Sequence, residues 1–234
     1  MAYKIGIIGA MEVEVETLKK DMEISRTVKK ASMEFCEGKL EGLDVVIVRS
    51  GIGKVNAGIC VQILADEFKV THIINTGVAG SLDASIDIGD FVVSTDAVYH
   101  DVNATVFGYK RGEIPQTGRL EFPADEWMRQ EIKKAARAAG ITQKIIDGRV
   151  CSGDQFISDG AVKDDIKKEF GGMCTEMEGA AIAHASFLNE IPFVILRAIS
   201  DKADGSDIVD YPVFEAKAAK DCASLTKAFI KGIQ

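Results

Sequence analysis

The stretch Lys4-Ile5-Gly6-Ile7-Ile8-Gly9-Ala10, followed at once by Met11-Glu12-Val13-Glu14, sets the pattern for the whole chain. It is apolar on consecutive positions, as a strand covered on both faces must be, and it stops abruptly at acids. The same pattern predicts strands over 4–10, 45–50, 72–76, 91–97, 149–152, 173–177 and 193–199. Segments 55–68, 126–139, 162–169, 179–189 and 213–233 carry helical periodicity between and after them. In 55–68, for example, Val55, Ile59 and Ile63 join Ala57, Val61 and Leu64 in one broad apolar stripe. Strands alternating with helices predict an α/β fold, its sheet covered by helices on both faces. No linker or repeat divides the chain, so a single domain over 1–234 is expected.

Segment 99–123 breaks the rhythm. It holds Phe107, Gly108, Tyr109, Gly112, Pro115, Gly118, Phe122 and Pro123 without a period. A loop of that length in a compact domain is functional or disordered, and its aromatics argue for a lid or a subunit contact.

The totals exclude several partners. With 47% hydrophobic and 27% charged residues the chain is globular in composition, and its net charge of −8 argues against nucleic acid and anionic lipid. No apolar run approaches the roughly 20 residues of a membrane span. No signal-peptide cleavage site follows the first strand, so a cytoplasmic protein is expected. Cys36, Cys60, Cys151, Cys174 and Cys222 are odd in number and show no CxxC spacing, which predicts reduced, buried thiols. His72, His100 and His184 lack a second metal ligand at helical or hairpin spacing, so neither a metal nor a cofactor is expected.

Ligand-binding residues in α/β sheets gather beyond the carboxyl ends of strands. Here those ends are Gly9-Ala10-Met11-Glu12-Val13-Glu14, Ser50-Gly51-Ile52-Gly53-Lys54, Thr76-Gly77-Val78-Ala79-Gly80-Ser81, Gly153-Asp154-Gln155-Phe156-Ile157, Thr175-Glu176-Met177-Glu178-Gly179 and Arg197-Ala198-Ile199-Ser200-Asp201. Acids converging with glycines suit a polar, uncharged ligand that carries hydroxyls and ring nitrogens. Each piece also has a plainer role. Gly51-Ile52-Gly53-Lys54 lacks the spacing of a phosphate loop, and Gly6 with Gly9 does not complete a dinucleotide fingerprint. Glu12, Glu14 and Glu16 suit a helix N-terminus, Asp201 and Glu178 suit caps, and Phe156 and Met177 suit a core.

Taken together, in order and in register, these strings resemble the bacterial 5′-methylthioadenosine/S-adenosylhomocysteine nucleosidases. The likeness rests on Ile5–Glu12, Ser50–Val55, Ile74–Gly77, Ser152–Ile157, Glu176-Met177-Glu178, Ala181–His184 and Arg197–Asp201, and it covers nearly the whole chain. It implies a three-layer α/β/α fold of the nucleoside-phosphorylase type around a central twisted mixed sheet, working as a homodimer. It implies hydrolysis of the N-glycosidic bond of methylthioadenosine, S-adenosylhomocysteine and also 5′-deoxyadenosine, in methionine and S-adenosylmethionine salvage.

Roles follow from the same resemblance. Asp201, steadied by Ser200, would protonate adenine N7, kept protonated by an apolar, desolvated pocket. Glu14 would activate water, with Arg197 helping to hold it. Glu178 would accept from both ribose hydroxyls. Met177 would lie under the sugar, Phe156 would stack on adenine, and Ile157 backbone groups would bind its edge. Ile52 and Tyr211 would complete the apolar walls, and Met11, Val78, Ala79, Gly80 and Glu176 would line the rest. Phe107, Tyr109 and Pro115 would close the 5′-substituent site of the neighbouring subunit. The chain departs from the family at Val78, where Ser is usual and its hydroxyl would lie near the water.

Three other functions share the fold. A phosphorylase needs cationic and hydroxyl donors around phosphate, where this chain offers Glu12, Glu14, Asn75 and Val78. A futalosine-type hydrolase differs only in the 5′-group. A nucleoside-binding sensor or store would not need Glu14 and Asp201, and both are present.

Overall fold

The computed structural model describes residues 3–202 and 211–234. At its centre four parallel strands lie side by side: β4 (Leu43–Arg49), β1 (Lys4–Gly9), β5 (His72–Ser81) and β10 (Phe193–Asp201). Their side chains are almost all buried, which explains the continuous apolar runs. Beyond β10 come β6 (Phe91–Tyr99), antiparallel to it, and β8 (Ile145–Ser152), parallel to β6. The short β9 (Cys174–Glu176) then joins β8 to β5. The mixed ten-stranded sheet therefore twists until β5, β10, β6, β8 and β9 close into a ring. The small β7 (Glu121–Pro123) adds to β6.

Helices α1 (Glu12–Asp21), α3 (Glu126–Ala138) and α6 (Tyr211–Gly232) cover one face, and α2 (Lys54–Asp66) and α5 (Gly179–Leu188) cover the other. The three-layer α/β/α arrangement expected from the sequence is thus present. The last helix, α4 (Gly160–Phe170), packs Ile166 and Phe170 against Val98 and Cys151 outside the ring.

Four elements escaped the sequence, the small β7 within segment 99–123 among them. α1 is short and mostly charged. β2 (Glu23–Lys30) and β3 (Met33–Leu40) extend the sheet from β4 as antiparallel strands. β2, Glu-Ile-Ser-Arg-Thr-Val-Lys-Lys, is exposed along nearly all its length. It is an edge strand, and its charges oppose pairing with another chain. The predicted stripe on α2 also divides: Ala57, Val61, Ile63 and Leu64 are buried, but Val55 is 73% and Ile59 43% exposed. Strands β5 and β10 run further than the apolar pattern indicated, so Val78, Ala79, Gly80, Ser200 and Asp201 stand on strands, not in loops. All five cysteines are buried and unpaired.

Candidate active site

The carboxyl ends of β1, β5, β9 and β10 meet around a cavity of about 390 Å³. Of the residues singled out in the sequence, Met11, Glu14, Ile52, Val78, Ala79, Gly80, Phe156, Glu176, Met177, Glu178, Ser200 and Asp201 line it. Ile157 lies in an adjoining recess with Phe156 and Asp201. Phe156 is exposed at the rim and not in the core. Ala10, Thr175 and Glu215 line the cavity as well. The first two adjoin expected residues, whereas Glu215 comes from α6 and nothing in its helical surroundings marks it.

Phe107, Tyr109, Pro115 and Arg197 stand elsewhere. Phe107, on a short turn of helix at Thr105–Phe107, is 80% exposed. Neither it nor Tyr109 and Pro115 reaches this chain's own cavity. Arg197 is 2% exposed and lies behind the wall. Tyr211 opens α6, and its side chain lies outside the described residues.

Glu14 sits in the first turn of α1 and folds back over the end of β1. Its Oε2 accepts from the amides of Ala10 at 2.7 Å and Met11 at 2.9 Å, and its Oε1 accepts from the Val78 amide at 3.0 Å. Gly77 has no side chain because a Cβ there would collide with that carboxylate. Burial pushes the Glu14 carboxyl above its ordinary value, against the pull of Arg197 and the three amides. A buried carboxylate with raised basicity is suited to take a proton from water. The contact from position 78 is a main-chain amide, which Val supplies as well as Ser does.

Arg197 donates to Glu176 and to Asn75 Oδ1, and Asn75 in turn donates to Ile8 O at 3.0 Å. Burial opposes its charge, but Glu176, Glu14 and Glu178 outweigh that and hold the guanidinium firmly protonated. Its hydrogen bonds thus tie it to Glu176, which lines the cavity, and to Asn75 behind it. Glu176 is likewise committed, accepting from Arg197, Ser152 Oγ and the amides of Glu178 and Gly179. It caps α5, which leaves Glu178 free of the capping role proposed for it. Glu178 instead accepts from the Gly53 amide at 2.7 Å. Burial first, then the charge of Glu176, pushes its carboxyl up.

Asp201 ends β10 against Gly80, where a Cβ would lie 2.8 Å from Oδ2. Ser200 Oγ is 3.2 Å from Oδ1, as expected, but the surroundings are not apolar. Lys163, 2% exposed, reaches from α4 to place Nζ 2.7 Å from Oδ2. The cause is local, since α4 turns position 163 inward. No sequence motif linked the two residues.

Five of the backbone amides at these strand ends are committed to carboxylates. Those after β1 and within β5 hold Glu14, and the N-terminus of α2 holds Glu178 through Gly53 and Asp154 through Lys54, the latter at 2.9 Å. A helix N-terminus of this kind is a ready anion site, and here the chain's own carboxylates fill it.

The chain is similar along its length to known proteins. The model of the phosphorylase superfamily matches residues 4–231. A 5′-methylthioadenosine/S-adenosylhomocysteine nucleosidase of Staphylococcus haemolyticus is 42% identical over 228 residues, which is 97% of this chain and 99% of that one. A nucleosidase of the same name from Colwellia psychrerythraea, solved in complex with adenine, has a TM-score of 0.94 at 37% identity, covering 100% of this chain and 96% of that one. A futalosine hydrolase of Helicobacter pylori has a TM-score of 0.91 at 29% identity, covering 98% of each chain.

The buried acids make a thermodynamic prediction. Glu14 and Glu178 have folded-state values raised above the ordinary 4.5, so the folded state binds their protons more tightly than the unfolded state. Their contribution is fully present below 4.5 and is lost as pH rises through the raised values. Calorimetric unfolding of the ligand-free protein between about pH 5 and 8 should show wild type losing stability relative to Glu14→Gln as pH rises. A difference that stays flat across that window would show that Glu14 is not desolvated.

Proposed function

Because the chain belongs to the phosphorylase superfamily and, within it, to the 5′-methylthioadenosine/S-adenosylhomocysteine nucleosidases, we propose that its cavity cleaves adenine from these two nucleosides with water. The observation that carries hydrolysis over phosphorolysis is the set of amides already occupied by Glu14, Glu178 and Asp154. Phosphate would meet carboxylates where it needs donors. The greater likeness to the nucleosidases, at 42% and 37% identity against 29% for the futalosine hydrolase, favours the 5′-thio substrates.

The roles follow from position. Glu14 takes the proton of the attacking water. Glu178, with one oxygen on Gly53, turns the other to the ribose hydroxyls above Met177. Phe156 stacks on adenine, Ile157 meets its edge, and Asp201 gives the proton to N7 as the C1′–N9 electron pair moves into the purine. The sugar becomes oxocarbenium-like, and Glu14, Glu176 and Glu178 outnumber Arg197 around it, so the developing positive charge is stabilised.

The exposed apolar side chains support a homodimer. Val55 and Ile59 of α2, Phe187 and Leu188 of the adjacent α5, and Phe107 of segment 99–123 are all exposed apolar side chains. A second copy would cover these side chains and bring Phe107, Tyr109 and Pro115 to its neighbour's cavity. Among the described residues no helix is long and apolar enough to cross a membrane, and we assign the enzyme to the cytoplasm.

Purified protein should release adenine from methylthioadenosine at the same rate with and without phosphate, leaving free 5-methylthioribose. A sugar 1-phosphate among the products would overturn hydrolysis, and faster turnover of futalosine than of methylthioadenosine would move the substrate assignment.

Substitutions should separate the acids. Asp201→Asn and Glu14→Gln should each lower kcat by about 10²–10⁴-fold with substrate affinity retained, whereas Glu178→Gln should weaken binding too. Near wild-type kcat in the first two would make them structural acids.

Mixing Glu14→Gln with Phe107→Ala subunits should create one intact site per mixed dimer and restore part of the activity. Verified exchange without any gain would show that the sites are not shared.

A further inference from the structure

On α4, positions 163, 166 and 170 form the inward stripe: Ile166 and Phe170 enter a small apolar cluster, and the third position is a lysine that is 2% exposed. An ammonium ion loses several kcal/mol of hydration on burial, and an aliphatic side chain would serve that stripe as well. Lys163 has two partners. Its Nζ is 2.7 Å from Asp201 Oδ2 and 2.6 Å from Lys202 O. Both lie at the end of β10, one of them being the carboxyl proposed as the acid.

We propose that Lys163 is the positioning residue of the acid: it fixes the Asp201 carboxyl at the base end of the cavity, and its ammonium offsets the charge of the carboxylate left when Asp201 gives its proton to adenine. This rests on the proposed role of Asp201 and adds to it a residue from a different element. By holding Oδ2, Lys163 leaves Oδ1, beside Ser200, to face the ring. The proton account closes. As C1′–N9 breaks, its electron pair enters the purine and N7 takes a proton from Asp201. Water supplies hydroxide to C1′ and a proton to Glu14, which leaves to solvent, and solvent returns a proton to the Asp201 carboxylate as product departs, with Lys163 an ammonium ion throughout.

The test compares two leaving groups. Adenine must be protonated to leave, whereas 4-nitrophenolate departs without help, so the 4-nitrophenyl glycoside of 5-methylthioribose bypasses the acid. Lys163→Met should lower kcat for methylthioadenosine by about 10- to 100-fold while turning over the nitrophenyl glycoside near the wild-type rate. Added to Asp201→Asn, it should cost nothing more, because the two residues act as one unit. Should Lys163→Met fold poorly, Lys163→Gln keeps a polar head on a similar stem. The Asp201→Asn/Lys163→Met double variant, which removes both charges, then completes the comparison. The nitrophenyl glycoside reports in each case whether the cavity is intact. Unchanged kcat for methylthioadenosine, equal losses on both substrates, or a loss that multiplies with Asp201→Asn would each overturn the proposal. Equal losses would leave Lys163 as a structural tie between α4 and β10. If the Asp201→Asn loss proves absent in itself, the acid assignment fails first, and the single variant distinguishes that result.

Discussion

The guanidinium of Arg197 is buried with three carboxylates, those of Glu14, Glu176 and Glu178, and their imbalance governs how the wall of the cavity is built. One cation cannot neutralise three acids, and a buried carboxylate without compensation costs several kcal/mol. The remainder falls to backbone amides: Ala10, Met11 and Val78 for Glu14, Gly53 for Glu178, and Glu178 with Gly179 for Glu176. The strand ends therefore have to converge with their N–H groups turned inward. Removing Arg197 would leave these acids repelling one another in a dry site, so its loss would disturb all of them while touching no substrate.

The same demand for amides explains the glycines. Gly77 and Gly80 lie where Glu14 and Asp201 press against the backbone of β5, leaving no room for a Cβ. Two acids from different parts of the chain, one on α1 and one on β10, can thus approach one strand from opposite ends of the cavity. It also accounts for the choice of nucleophile. Amides already serving carboxylates have nothing left for phosphate, and a carboxylate of raised basicity suits water.

How much of this the sequence disclosed depends on how local the signal is. The central strands were legible because burial on both faces forces consecutive apolar residues, and the acids were legible because they follow those strands directly. β2 was not, because an edge strand has no buried face to impose a pattern, as its charged residues show. The outward turn of Val55 and Ile59 escaped because periodicity reports an apolar stripe and not what covers it. Arg197 was found but its partners Glu176 and Asn75 were not, since a residue type beside a catalytic string does not reveal which way its side chain points. Lys163 and Glu215 carried no signal at all: their place depends on how α4 packs on β6 and β8 and how α6 packs on β10, long-range facts that spacing cannot encode.

These charges give the cavity a direction. In the proposed orientation the sugar lies over Glu14 and Glu178, and the base lies toward Asp201 with the Lys163 ammonium behind it. Breaking the N-glycosidic bond separates charge along that same line, positive on the sugar and negative on the purine. The neutral ground state interacts weakly with such a field, and the transition state interacts strongly, so the arrangement favours the reaction selectively. The acids retain this effect because hydrogen bonds fixed by the fold already hold them, and no reorganisation is needed as the charge develops. The formal charge of −8 over the whole protein has little part in it. Surface charges are screened over about 10 Å of salt solution, whereas buried groups in contact with the substrate are not. The raised basicity of Glu14 and Glu178 is the cost, borne by the empty enzyme, of a site shaped for the separated charges.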